Sequence, residues 1–198
     1  VLPFDNYSTA EEDQYFSDGM TEVIIANLAK VKDLKVISRT SVMEYKNTTK
    51  KLKDIAKELG VAHILEGSIQ RANGRVRVVG QLIDADTDEH IWAETYDKKE
   101  SDIFELQSDV AIEIANALKT ELTEEVKARI SEKLTESTIA YEYYLKGNMY
   151  ENAGHSRSNL LNAIAEYERA VSIDPQFAEA HAQLGKMHAH IKWYRHDL

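Results

Sequence analysis

A chain of 198 residues, 43% hydrophobic and 29% charged, has room for one large domain or two small ones and lies well outside the compositions that stay disordered. Its 34 acidic and 24 basic side chains give a formal charge of −10, the wrong sign for binding along a phosphate backbone, so nucleic acid is not an expected partner. There is no cysteine, which excludes disulfides, thiolate metal sites and thiol nucleophiles, and no run approaches the ~20 apolar residues of a membrane-spanning helix.

The chain opens on Val1-Leu2-Pro3-Phe4 with no initiator Met and no secretory leader. It closes on Ile191-Lys192-Trp193-Tyr194-Arg195-His196, still rich in apolar and aromatic groups. Both ends read as cut from something longer. Residues 1–4 read as a strand running into a polar loop, residues 5–17. A helix follows, with Asp18 as its cap and Met20, Val23, Ile24, Leu28 and Val31 at helical spacing. Residues 34–37 make a short strand candidate, followed by the polar stretch Ser38-Arg39-Thr40-Ser41. Leu52, Ile55, Ala56 and Leu59 form the stripe of a second helix, which Gly60 ends as a residue tolerant of positive φ.

The period then changes from helical to alternating. Residues 61–72 and 75–85 are β-rich runs joined by Asn73-Gly74, a strong hairpin signal. In the second run Val76, Val78 and Leu82 alternate with Arg75, Arg77 and Gln81, giving one buried and one wetter face. Residues 86–89 form another turn, and residues 90–96 a third strand of this group, with Trp92 and Tyr96 on one face. A longer helix begins at Asp102, which pairs with Glu105 as a capping box and carries Ile103, Leu106, Val110, Ile114, Ala117 and Leu118. The expected fold class is therefore an α/β (α+β) mixed-sheet domain, β-α-β-α-β-β-β-α, over residues 1–122. A charged helical connector spans residues 123–137, and residues 138–198 form an all-α segment.

In that last segment Tyr143, Gly147 and Tyr150 fit the first half of a 34-residue helical pattern, with Leu145 one place early. Ala163, Tyr167, Ala170 and Pro175 fit its second half. Residues 153–159 hold about four extra residues against that consensus, so the internal turn is enlarged. After Pro175, which stops one helix before the next, the pattern restarts with Phe177, His181, Leu184, Gly185 and His188. These residues resemble the tetratricopeptide (TPR) repeat, with one repeat over residues 138–175 and the start of a second over 176–198.

Blocks of the first segment carry a further resemblance. Val1-Leu2-Pro3-Phe4-Asp5-Asn6, Tyr15-Phe16-Ser17-Asp18-Gly19-Met20-Thr21-Glu22, Val36-Ile37-Ser38-Arg39-Thr40-Ser41 and Leu65-Glu66-Gly67-Ser68-Ile69 occur in order. Gln81-Leu82-Ile83-Asp84-Ala85 and Ile91-Trp92-Ala93-Glu94-Thr95-Tyr96-Asp97 follow them. The series resembles the bacterial TolB amino-terminal-like (FlgO-like) domain that precedes TPR repeats in regulatory proteins. The resemblance implies a small mixed-sheet domain found downstream of class III adenylate or guanylate cyclase domains, Ser/Thr kinases or winged-helix regulators, often beyond a membrane span. It implies no catalytic residues.

Other constellations have plain readings beside the functional ones. Asp84, Asp86 and Asp88 imitate a calcium loop, but Glu89 stands where its sharp turn needs Gly and Thr95 where a bidentate Glu is needed, so a solvated turn is preferred. His181, His188, His190 and His196 cluster late, with His181 and His188 at aromatic packing positions of the second repeat; no metal site is expected. Asp18, Arg39, Thr40 and Ser41 lie at loop–helix junctions next to expected strand ends, where an anion could bind, although capping and loop hydrogen bonds explain the same residues without a ligand and are the preferred reading. Tyr141, Tyr144, Asn148 and Glu151 or Asn152 share one face of the first repeat helix, apart from Tyr143, Gly147 and Tyr150. That face would take a peptide, or else pack against the rest of the chain. The sequons Asn6-Tyr7-Ser8 and Asn47-Thr48-Thr49 would be idle in a bacterial protein.

No Gly-rich phosphate loop, nucleophile elbow or zinc-protease motif occurs, and neither catalysis nor a cofactor is expected. The expectation is a non-catalytic regulatory region of a larger bacterial signalling protein. Its partner is a protein, a peptide or its own neighbouring domains, and the first domain serves as adaptor or homodimerisation unit. The rivals are an anion sensor with its pocket near Arg39 and Ser41, and a component of cell-envelope assembly. The resemblance is compatible with the bacterial cytoplasm or with the periplasmic side of a membrane-tethered regulator.

Overall fold

The computed structural model describes residues 1–8 and 13–194, and these divide into two compact units, Val1–Glu132 and Lys133–Leu198. The division falls within the charged stretch 123–137.

The first unit is built on a four-stranded mixed sheet in the order β1-β2-β3-β4, with β1 at Asp5–Asn6, β2 at His63–Ala72, β3 at Arg75–Asp84 and β4 at Glu89–Lys99. β1 runs parallel to β2, while β2, β3 and β4 form an antiparallel meander. The β2–β3 hairpin turns at Asn73 and Gly74, both at positive φ (52° and 71°), as a two-residue turn matched to strand twist requires. The next turn is closed by Asp84, whose Oδ1 accepts from the backbone N–H of Asp86 and of Thr87 at 2.9 and 3.1 Å. These bonds hold the Asp84 carboxyl below the usual carboxylate range. β4 is an outer strand, and its far edge has no partner among the described residues.

Two helices, α1 (Gln14–Ala29) and α4 (Ile103–Ala117), pack on each other beside the sheet. Met20, Ile24, Leu106, Val110 and Ile114 of these helices are buried, as are the sheet residues Ile69, Val76, Val78 and Leu82. The short helix α3 (Leu52–Leu59) closes a separate cluster, in which Ile55 and Ala56 meet Leu2, Ile64 and Ala85. Gly60 ends α3 at φ 65°, a left-handed position that a residue without a Cβ takes freely. A one-turn helix, α2 (Arg39–Val42), precedes α3, and α5 (Glu124–Ile130) follows α4, capped by the Thr123 hydroxyl and anchored by the buried Ile130.

The mixed-sheet domain and the helical segment after it are those expected, with four local differences. The first strand is Asp5–Asn6 and not residues 1–4, because it is there that the chain pairs with Ser68 and Ile69 of β2. Residues 34–37 run without a sheet ladder, so the sheet has four strands. Asp18 lies inside α1 and does not cap it, because the helix starts four residues earlier to bury Tyr15 and Phe16. No capping box forms at Asp102: its backbone (φ −100°, ψ 19°) is outside the extended region from which a cap side chain reaches back. Glu105 turns to Lys98 at 3.2 Å instead.

Arg71, near the end of β2, gathers distant groups. Its guanidinium donates to the Tyr15 hydroxyl at 2.9 Å and to Asp13 at 3.4 Å, pairs with Glu100, and sits 5.3 Å from the Phe16 ring centre.

The second unit has three helices: α6 (Thr138–Asn152), α7 (Arg157–Ile173) and α8 (Ala178–Trp193). The hydroxyls of Ser137 and Ser156 cap α6 and α7. Residues 153–156 make the enlarged turn between these helices, with Gly154 at φ 110°.

Candidate functional site

The helical unit is organised around Tyr167 of α7, which is completely buried. A Cβ added to Gly147 on α6 would overlap its ring, so the absent side chain is what lets the two helices approach. The Tyr167 hydroxyl donates to Asn148 Oδ1 at 2.7 Å and lies 3.1 Å from Glu151 Oε2. Tyr144 packs on Tyr167 and on Phe177, with ring centres 5.9 and 5.0 Å apart, and stacks with Tyr141 at 6.3 Å. Ala163 and Ala170, one turn to either side of Tyr167, are fully buried. Glu151 also pairs with Lys186 of α8, and Asp174 accepts from the Thr135 hydroxyl and from the Gln176 backbone N–H, contacts that hold its carboxyl below the usual range.

This arrangement corrects the face assigned to α6. Tyr141, Tyr144 and Asn148, expected to line a peptide groove, are core residues of the unit, whereas Asn152 is exposed at the helix end. Tyr143 and Tyr150, expected to pack inside, are only half-buried, and Tyr143 lies under the cations of Lys146 and Arg169 at 5.5 and 5.7 Å. The buried stripe is Tyr141, Tyr144, Leu145 and Asn148, spaced three and four apart as one helix face demands.

In the second repeat the pattern residues stand open. Leu184 is half-buried, Gly185 is exposed with open space where a side chain would stand, and Pro175 is exposed. Of α8 only Ala180 and Met187 are buried. His181 and His188 are exposed and not packed in an aromatic core; the ring of His181 lies 3.0 Å from the Pro175 carbonyl. His190 meets His155, from the enlarged turn, and Tyr194, with ring centres 5.0 and 5.9 Å away. His196 lies outside the described residues.

In the first unit the expected anion set does not converge on one ligand. Asp18 accepts from Lys46 Nζ at 2.7 Å and from Gln14 at 3.1 Å. Arg39 faces Glu22 at 3.6 Å, so its charge is already opposed by a carboxylate. Thr40 and Ser41 are exposed, with the Ser41 hydroxyl 3.1 Å from that of Ser38.

Sequence reasoning placed Phe177 at the restart of the pattern but missed its packing on Tyr144 and the Asn148–Tyr167–Glu151 bonds. The visible signal was the pair of polar residues spaced to lie along one helix face with Tyr144, opposite an aromatic at a packing position.

A model of the TPR repeat family matches residues 147–190. The chain is 41% identical over 192 residues to a protein of Rhizobium meliloti (strain 1021) named "Putative adenylate cyclase 3"; the match covers 93% of this chain and 31% of that protein, so the chain spans under a third of its relative. Among solved structures, lipoprotein GNA1162 of Neisseria meningitidis is 19% identical, with a TM-score of 0.45, covering 60% of this chain and 96% of that one. The LpoB C-terminal domain of Salmonella enterica is 14% identical, with a TM-score of 0.29, covering 48% and 77%. Neither overlap is close enough to carry an argument. The helical unit is a TPR-type segment, a kind of surface that takes protein partners, and no helix among the described residues is long and apolar enough to cross a membrane.

Proposed function

We propose that this chain is the non-catalytic regulatory region of a larger bacterial signalling protein related to the adenylate cyclases, and that its helical unit engages a protein through the outward face of α8. The observation that carries this reading is the repeat-family match over residues 147–190, on a unit whose α6–α7 hairpin packs Gly147 against Tyr167 as the repeat requires. Further support comes from 41% identity to the cyclase-named relative. The TolB amino-terminal-like blocks of the first unit add the expectation of a regulatory setting. The partner is a second protein or a neighbouring domain of the same polypeptide, since either supplies a helix with an apolar stripe.

A photo-crosslinking residue placed at Gly185, with a second at the exposed Glu124 of α5 as control, tests this in cells. Discrete adducts at position 185 that Leu184→Asp removes, with helical content unchanged, are the expected result; a gel shift without added mass would identify the partner as the same polypeptide. Equal adducts at both positions, or none at 185, would sink the reading.

A further inference from the structure

The first unit contains a partly enclosed cavity of about 660 Å³ that none of the residues above explains. Its walls come from every layer of the unit: Leu28 of α1, Val36 and Ile37 of the ladder-free segment, Leu82 of β3, and Ile114 and Leu118 at the end of α4. That volume lies in the range of about 300–1,000 Å³ typical of small-molecule sites, which are mostly apolar with a few polar groups to fix orientation. Asp18, Arg39, Thr40 and Ser41 are not among its lining residues.

Two further features define what would fit. The charged side chains around the cavity are Asp33, Lys35, Lys119 and Glu121, two of each sign; His63 and the Val1 amino group also line it, and burial lowers that amino group to about 6, leaving it mostly uncharged at neutral pH. With no net charge at the rim and an aliphatic interior, a charged ligand would lose hydration without a matching partner. The second feature is the wall segment itself. Residues 34–37 have strand-forming side chains, yet the backbone groups of Lys35, Val36 and Ile37 form no backbone hydrogen bond to any described residue. A segment outside the sheet, with backbone N–H and C=O groups that make no backbone hydrogen bond, beside an apolar wall suits a molecule that carries amide groups along aliphatic surface.

We propose that this cavity is a binding site for an uncharged, aliphatic, amide-bearing small molecule, held by its apolar body against Leu28, Leu82, Ile114 and Leu118 and by its amides along residues 35–37. Such a ligand would add a chemical input to the first unit. The site belongs to that unit alone, so it stands or falls independently of what α8 binds.

Calorimetric titration of the intact chain with N-octanoyl-leucinamide and with N-octanoyl-leucine, which differs by a carboxylate, tests the assignment. The amide binds one to one and the acid at least tenfold more weakly; Val36→Trp and Leu118→Trp, which fill the cavity from two different elements, each weaken amide binding at least tenfold. Because a filling variant can fail to fold, methyl NMR of the unmodified chain gives an independent readout, with amide-induced shifts confined to Leu28, Ile37, Leu82, Ile114 and Leu118. Absence of amide binding at millimolar concentration, equal binding of the acid, binding that survives both folded variants, or shifts centred elsewhere would each overturn the proposal.

Discussion

Gly147 shows how much a single hydrogen atom in place of a side chain can decide. The Tyr167 ring that its Cβ would strike is fully buried and bonded through its hydroxyl to Asn148 and Glu151, so it has no room to swing aside. Gly147→Ala is therefore expected to destabilise the helical unit by about 1–3 kcal/mol, the usual cost of overpacking, despite the better helix propensity of alanine. Urea titration followed by helical circular dichroism would measure it, and an unchanged midpoint would refute the steric argument.

At the same scale four carboxyls make stability depend on acid, among them Glu58, held down by Lys50 and Tyr45. Asp84 is held down by the Thr87 and Asp86 amides, Asp97 by Arg77 and Arg75, and Asp174 by the Thr135 hydroxyl and Gln176 amide. A folded-state value below the unfolded one means stability that is present above the ordinary carboxylate range and lost as pH falls through the folded values. The melting temperature should fall on acidification below pH 4, and Asp97→Asn should flatten that fall; a melting temperature independent of pH there would contradict the assignment.

At the scale of elements, Arg71 joins the start of α1, the end of β2 and the turn before α4 through partners 29 to 58 residues away in sequence. Arg71→Met keeps the aliphatic stem but strands Asp13 and Glu100 without their cation. A loss of about 1.5–3 kcal/mol is expected, appearing as a lower urea midpoint with an unchanged slope. Nothing in the sequence marks this residue, because its role is assembled only by the fold.

What was legible was local. Asn73-Gly74 specifies its hairpin through positive φ, Gly60 specifies a helix end, and alternation across residues 76–82 names the buried face of β3. Residues 34–37 were misread for the opposite reason: strand-like side chains do not supply a neighbouring edge, and pairing depends on the whole sheet. Asp18 fits a cap by type, but its partner is Lys46, 28 positions on. On α6 the repeat consensus located the helices and the Gly147–Tyr167 contact. It misplaced the faces because the buried stripe also has to meet Phe177 at the head of α8.

For the whole molecule, the division into Val1–Glu132 and Lys133–Leu198 makes the short exposed stretch 131–134 the natural point of attack. Limited trypsin digestion should cut first after Lys133, leaving a fragment of the first unit that keeps its β-sheet spectrum; early loss of the 63–99 meander would contradict this. The same division bears on how the fold should be read in a longer polypeptide, where each unit has its own core and its own surface to offer.

The outer strand β4 has a consequence of a different kind. Eleven residues with one edge unpaired among the described residues form a template onto which any extended chain could add, the first step of fibrous aggregation. The strand carries Glu89, Glu94, Asp97, Lys98 and Lys99, so an in-register stack of copies would place like charges 4.7–4.8 Å apart along its length. The cost of that repulsion is what lets a long bare edge persist in a crowded cell, and its charges serve the solubility of the chain as much as its fold.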